Sequence, residues 1–193
     1  MVVGVGESVI IIKNMRIFSE AIPYFLSSLV PLATLVTPNL PETATLLSII
    51  KAATTEAEML DHGKSLLQRT GSAAILIKGG HLPPANGHSS TLSNAECPDY
   101  LFQTGMEPRR YTAPRMATMS QRGTGCALSS AIATYLALGE ELEEAVRKAK
   151  HYVGEAMRWG EKLGVVGKRA KGPLDYFYSH RGHLNDDSTS NSL

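Results

Sequence analysis

Three short apolar runs stand out along the chain: Val9-Ile10-Ile11-Ile12, Thr34-Leu35-Val36-Thr37 and Ala73-Ala74-Ile75-Leu76-Ile77. Runs of this length without alternation of polar positions mark strands covered on both faces, as in a buried, largely parallel sheet. Helical patterns lie between them. One covers residues 18–29 with Pro23 inside it as a kink, a short one follows Pro41, and one runs over 55–69 and stops at Gly71. Strand and helix alternate, which predicts the α/β class, a mostly parallel sheet flanked by helices. From 91 to 117 the pattern changes to short extended pieces, Tyr100-Leu101-Phe102 and Arg110-Tyr111-Thr112, broken by Gly and Pro. These read as antiparallel strands or a covering flap. Two longer helices follow: 126–138, closed by Gly139, and one from Leu142 with Ala145, Val146, Ala149, Tyr152, Val153, Ala156 and Met157 at helical spacing.

After Phe177 the chain turns to Ser, Asn, Asp and His with little to bury, so 179–193 is expected to be a disordered tail behind one domain, 1–178. The full length of 193 residues is ordinary for a single domain. Nineteen basic against eighteen acidic side chains leave no strong field, which argues against nucleic acid or an acidic membrane surface as a partner. Cys97 and Cys126 are too few for a disulfide scaffold or a four-cysteine zinc site, which suits a reducing compartment, the cytoplasm. No stretch approaches the roughly 20 apolar residues of a membrane span. The first residues lack a basic leader and carry Glu7, unlike a signal peptide.

Gly123-Thr124-Gly125-Cys126 precedes one of the longer helices. Glycines there allow a tight turn after which the first helix amides point outward without intrahelical partners, a concave donor set reinforced by the helix dipole. The alternative is an ordinary capped loop with a small cysteine. Cys126, in the first turn, would have its thiolate stabilised by the same dipole. Thr37-Pro38-Asn39-Leu40-Pro41-Glu42 leaves a strand and opens a helix. Asn39 and Glu42 therefore stand at a strand's carboxyl end, where α/β sheets bind ligands, and their oxygens suit a hydrated Mg²⁺. The competing reading is a capping box. Lys78-Gly79-Gly80-His81 follows another strand and offers a cation with glycines for close approach of a phosphate, or else a turn with a solvated lysine. Gly4-Val5-Gly6 and Gly167-Lys168 match neither the dinucleotide nor the P-loop pattern. His180 and His183 read as surface residues, and Lys162, Lys168, Arg169 and Lys171 as a solvated loop.

Taken together, residues 37–42, Lys-Gly-Gly-His at 78–81, Gly-Thr-Gly-Cys-Ala-Leu-Ser-Ser-Ala-Ile-Ala at 123–133 and Gly-Pro-Leu-Asp-Tyr-Phe at 172–177 resemble hydroxymethylpyrimidine/phosphomethylpyrimidine kinase, a family of the ribokinase-like superfamily. The resemblance implies ATP-dependent phosphorylation of hydroxymethylpyrimidine and its phosphate in thiamine biosynthesis, with ATP and Mg²⁺ as cofactors. It implies that Gly123, Thr124 and Gly125 form the anion hole and that Cys126 stands where related sugar kinases carry an aspartate base. Asn39 and Glu42 would order Mg²⁺, and Lys78, Gly79, Gly80 and Thr124 would meet the nucleotide.

Two departures stand out: Arg122 where the family commonly has His, and Lys168-Arg169-Ala170-Lys171 in place of a glycine-rich approach to Gly172-Pro173. The family also carries further strands ahead of the region matched here, including a Gly-rich strand and most pyrimidine-binding residues. The expectation is therefore a ribokinase-like fold lacking its N-terminal strands, in which Met1 is an internal methionine of a truncated product or a mis-set start. Unpaired edge and apolar surface would then favour self-association as a homodimer. A non-catalytic remnant that binds nucleotide only, and a pyridoxal kinase of the same superfamily, are the alternative readings. A cysteine-nucleophile hydrolase would need His81 to reach Cys126.

Overall fold

Alternate residues of each central strand enter two different hydrophobic cores. In the computed structural model, residues 2–3, 10–12, 21–83, 96–116, 122–163 and 172–180 are described, the first two stretches for their backbone alone. The strands are β1 (Val2–Val3), β2 (Ile10–Ile12), β3 (Leu35–Val36), β4 (Ala74–Lys78), β5 (Asp99–Gln103) and β6 (Arg109–Tyr111), arranged in that order across one sheet. Leu35, Ala74, Leu76 and Leu101 face one core. Their neighbours Val36, Ile75, Ile77, Tyr100 and Phe102 face the other. A strand's side chains point alternately up and down, so apolar runs without polar gaps are what a doubly covered sheet requires. Ile75, Leu76 and Ile77 are fully buried, each contributing about 1.5–3 kcal/mol.

The helices supply the two outer layers. Helix α1 (Ile22–Tyr24) runs into a π turn at Phe25–Leu29 and a 3-10 turn at Val30–Leu32. It is followed by α2 (Leu40–Leu47), α3 (Glu56–Thr70), α4 (Thr124–Ala137) and α5 (Leu142–Lys162). Helices α2 and α3 cover one face through Leu40, Leu46, Met59 and Leu66. Helices α4 and α5 cover the other through Leu128, Ile132, Ala145, Ala149 and Val153. Residues 18–20 of the helix expected over 18–29 lie outside the described residues, and Pro23 lies in the first turn of α1. Its missing N–H costs nothing there, because the first amides of a helix have no intrahelical acceptor.

The α/β class holds, and the parallel character is confined to the centre. β2–β3 and β3–β4 pair in parallel, whereas β1–β2, β4–β5 and β5–β6 are antiparallel, so the sheet is mixed. For β1–β2 and β5–β6 the reason is connection length. A parallel neighbour needs a crossover of a dozen or more residues, and neither 4–9 nor the turn around Gly105, at φ +77°, has that length. The extended pieces expected within 91–117 are β5 and β6. Helix α3 stops at Gly71 in the left-handed conformation, φ +60°. Among the described residues no helix is long and apolar enough to cross a membrane. Of the expected tail, Ser179 and His180 belong to a final turn in which His180 N–H donates to the Phe177 carbonyl at 2.9 Å. Residues 181–193, with His183, lie outside the described residues, as do Val9, Lys168, Arg169 and Lys171.

Candidate active site

The carboxyl ends of β3 and β4 meet through an isolated parallel bridge between Asn39 and Lys78, with Lys78 N–H donating to the Pro38 carbonyl at 3.0 Å. Asn39 caps α2: Glu42 N–H donates to Asn39 Oδ1 at 2.9 Å and Asn39 N–H donates to Glu42 Oε2 at 2.7 Å. This is a full capping box, worth about 1 kcal/mol. Its second consequence is to fix the Glu42 carboxylate at the carboxyl end of the central strands, where Lys78 Nζ stands 3.9 Å from Oε2. Both side chains are largely withdrawn from water, 16% and 15% exposed, so their attraction is weakly screened. Lys78 Nζ also donates to the Thr37 carbonyl. Asn39, Glu42 and Lys78 are thus brought together, and the capping reading and the site reading describe the same atoms.

Gly79 and Gly80 differ from one another. A Cβ on Gly79 would lie 2.0 Å from the Pro98 carbonyl oxygen, and its N–H donates to Asp99 Oδ1 at 2.9 Å. The glycine is required by close approach of protein backbone, and its amide is engaged by a carboxylate. Gly80 is exposed, with open space where a side chain would project. His81 is exposed beside it.

The second group sits at the start of α4. Gly123 is the N-cap at φ +87°, without a side-chain cap, a conformation in which glycine is strongly favoured. The first intrahelical bond is Ala127 N–H to the Gly123 carbonyl at 2.8 Å, so the amides of Thr124 and Gly125 precede the helical ladder. Cys126 is exposed. It lines an open hollow of about 430 Å³ with Ser130, Thr134, Tyr135, Tyr152 and Tyr176. The segment 172–178 closes over this end. Arg122 N–H donates to the Gly172 carbonyl at 3.2 Å, Asp175 N–H to the Ala156 carbonyl at 2.9 Å, and Tyr152 O–H to the Tyr176 carbonyl at 3.1 Å. Cys126 thus stands at one end of a hollow that runs along α4 beside Tyr152, and Gly123 is bordered by the Tyr176 hydroxyl.

For Mg²⁺ the donor set is sparse. Among the described residues no three His, Cys, Asp or Glu side chains gather. Glu42 Oε2 takes the capping bond and stands nearest Lys78, and Oε1 is the second oxygen of that carboxylate. One carboxylate oxygen with waters and phosphate oxygens is a normal arrangement for Mg²⁺, so the residues fit a hydrated ion held through Glu42, with Asn39 orienting that carboxylate.

The sequence matches the family model for phosphomethylpyrimidine kinase over residues 6–175. The chain belongs to that family. It is 38% identical over 160 residues to the hydroxymethylpyrimidine/phosphomethylpyrimidine kinase of Escherichia coli (strain K12), a match covering 83% of this chain and 54% of the relative. Among solved structures it is similar to phosphomethylpyrimidine kinase from Clostridium difficile 630, with a TM-score of 0.56 and 29% identity over 77% of this chain and 55% of that one. It is also similar to the ADP complex of Bacillus subtilis pyridoxal kinase, with a TM-score of 0.71 and 24% identity over 86% and 58%. The latter likeness shows the ribokinase-like fold alone. The chain spans about half the length of the curated relatives it matches.

Within this phosphomethylpyrimidine kinase family member, sequence reasoning missed Tyr176 as the neighbour of Gly123 and missed Asp99 as the acceptor for Gly79. Tyr176 lies inside the Gly-Pro-Leu-Asp-Tyr-Phe motif, which is a usable signal. Asp99 carries only a weak one, a carboxylate at the head of an otherwise apolar strand.

Proposed function

We propose that this chain carries the phosphoryl-transfer apparatus of a phosphomethylpyrimidine kinase and that it transfers the γ-phosphoryl group of ATP to hydroxymethylpyrimidine and to its phosphate. The observation that carries this reading is the exposed Cys126 in the first turn of α4, after the left-handed Gly123 and among the residues that line a hollow. The family model and the Escherichia coli relative at 38% identity, a hydroxymethylpyrimidine/phosphomethylpyrimidine kinase, support a pyrimidine over pyridoxal as substrate.

In this reading the amides of Thr124 and Gly125 donate to the equatorial oxygens of the migrating phosphoryl group, where charge accumulates as the bond to the β-phosphate breaks. The Cys126 sulfur takes the proton from the attacking group, the hydroxyl of hydroxymethylpyrimidine or the phosphate of its monophosphate, as the new P–O bond forms, and ADP leaves. Lys78 approaches the phosphate chain and offsets its charge. Glu42, oriented by Asn39, would hold Mg²⁺ with its waters, and the ion would supply neutralisation of phosphate charge.

The test is a coupled assay for ADP release by the purified chain with ATP, Mg²⁺ and hydroxymethylpyrimidine phosphate, with pyridoxal run in parallel. Pyrimidine-dependent turnover supports the proposal. ATP binding without turnover of either substrate removes the transferase and leaves a nucleotide-binding protein, and pyridoxal-dependent turnover alone replaces the substrate.

A further inference from the structure

A buried ion pair stands behind the turn that follows Lys78. Asp99 is the register partner of Lys78 across β4 and β5. One of its carboxylate oxygens, Oδ1, accepts the Gly79 N–H at 2.9 Å. The other, Oδ2, is paired with Lys150 Nζ from α5, and the same ammonium donates to the Cys97 carbonyl at 3.1 Å. The two side chains are only 13% and 10% exposed. Charges withdrawn from water to this degree rarely improve stability over an apolar pair of similar volume, so stability alone is a weak reason for them.

The geometry supplies another reason. The Lys150 ammonium fixes the rotation of the Asp99 carboxylate, and that carboxylate then fixes the Gly79 amide. The Pro98 carbonyl packs close against Gly79, its oxygen 2.0 Å from where a Cβ on that residue would lie. Arg115 holds the far side of the same turn, donating to the Leu82 carbonyl at 2.7 Å. Lys150 belongs to α5, the helix that packs along α4 in a shared core. The pair thus links the layer behind the Cys126 helix to the turn behind Lys78.

We propose that Asp99, oriented by Lys150, is the positioning residue that sets the Lys78–Gly79 turn for contact with the nucleotide phosphates. This rests on the reading of Lys78 as a phosphate ligand. Neither Asp99 nor Lys150 touches the reacting atoms; they act through Gly79.

The experiment uses the whole chain and two readouts, hydrogen exchange at the Gly79 amide by NMR and titration with ATP in Mg²⁺. Lys150→Met is expected to accelerate Gly79 exchange and to weaken ATP binding, each about tenfold, the weight of one hydrogen bond to a charged group. Lys150→Arg restores both. Should Lys150→Met not fold, Asp99→Asn with Lys150→Met removes both charges while keeping an acceptor for Gly79, and the same two changes are expected at reduced size. Unchanged Gly79 exchange in the folded variant overturns the proposal. So does fast exchange with unaltered ATP affinity while Lys78→Ala still weakens binding. If Lys78→Ala leaves ATP affinity intact, the Lys78 assignment is what fails, and the role of Asp99 in phosphate binding falls with it.

Discussion

The hydroxyl oxygen of Tyr176 stands 2.9 Å from the point that a Cβ on Gly123 would occupy. The contact joins two segments separated by the whole of α4 and α5, and it borders the helix mouth at which a phosphoryl group would be held. Two separate effects therefore oppose a side chain at position 123: the contact itself and the φ of +87°. They differ in size. A tyrosine hydroxyl is the far end of a side chain and can move aside at little cost, whereas left-handed backbone costs an L residue about 1–2 kcal/mol wherever its neighbours go.

Gly123→Ala is accordingly expected to lower stability by about 1–2 kcal/mol, and Tyr176→Phe is expected to return little of that loss. Chemical denaturation of the two single variants and the double variant measures the coupling between them. A coupling that accounts for most of the Gly123→Ala loss would show that the hydroxyl contact dominates over backbone strain.

Cys126→Ala tests the proton acceptor. The substitution leaves the amides of Thr124 and Gly125 in place, so ATP affinity should stay within about twofold while turnover falls by about 10²-fold or more, the usual weight of a general base. Titration with ATP and steady-state kinetics on the same preparation separate the two quantities. Undiminished turnover removes Cys126 from the chemistry.

Two helical glycines should respond to alanine with opposite signs. At Gly63 a Cβ would lie 2.1 Å from the ring of Phe102. Overpacking of about 1–3 kcal/mol there exceeds the gain of about 1 kcal/mol in helix propensity. At Gly154, in α5, nothing lies within 4 Å of the added carbon, so the propensity gain of about 0.5–1 kcal/mol stands alone. Thermal melts are expected to show a lower Tm for Gly63→Ala and a higher one for Gly154→Ala.

Glu58 gives a pH dependence with a definite sign. Hydrogen bonds from the Thr54 backbone N–H, and then from the Thr54 hydroxyl, pull its pKa from 4.5 down to about 2. A carboxylate whose folded pKa is depressed stabilises the fold above its unfolded pKa and loses that contribution as pH falls toward the folded value. The Tm advantage of the native chain over Glu58→Gln should therefore be complete above pH 4.5 and fade toward pH 2. Melts at stepped pH check this, and an advantage that grows on acidification would contradict the capping geometry at Thr55.

The long helices were legible because their signals are local. Thr55 and Glu58 form a capping box, Gly71 and Gly139 close two helices in left-handed geometry, and α5 buries Ala145, Val146, Ala149, Val153 and Ala156 at helical spacing. The apolar runs likewise announced strands. Their direction was less legible, since the same run serves a parallel or an antiparallel neighbour, and it is the short connections around 4–9 and Gly105 that made the flanks antiparallel. The helix expected over 18–29 is described from residue 21 onward, where Pro23 stands at the start of α1.

For the candidate site, residue types and order along the chain marked Asn39, Glu42, Lys78 and the Gly123–Cys126 turn as candidates, each beside an ordinary capping or turn reading, and the family resemblance chose between the two, because glycine-led helix starts and polar groups at strand ends look alike in either role. Tertiary structure alone decided which of them meet and what lies behind them. Lys78 reaches Glu42 from another strand, Tyr176 returns to Gly123 past two helices, and Lys150 grips Asp99 across the sheet-helix interface. Such contacts depend on strand register and on how α5 packs against α4 and the sheet. Both are set by burial of two opposed cores and not by any short stretch of residues.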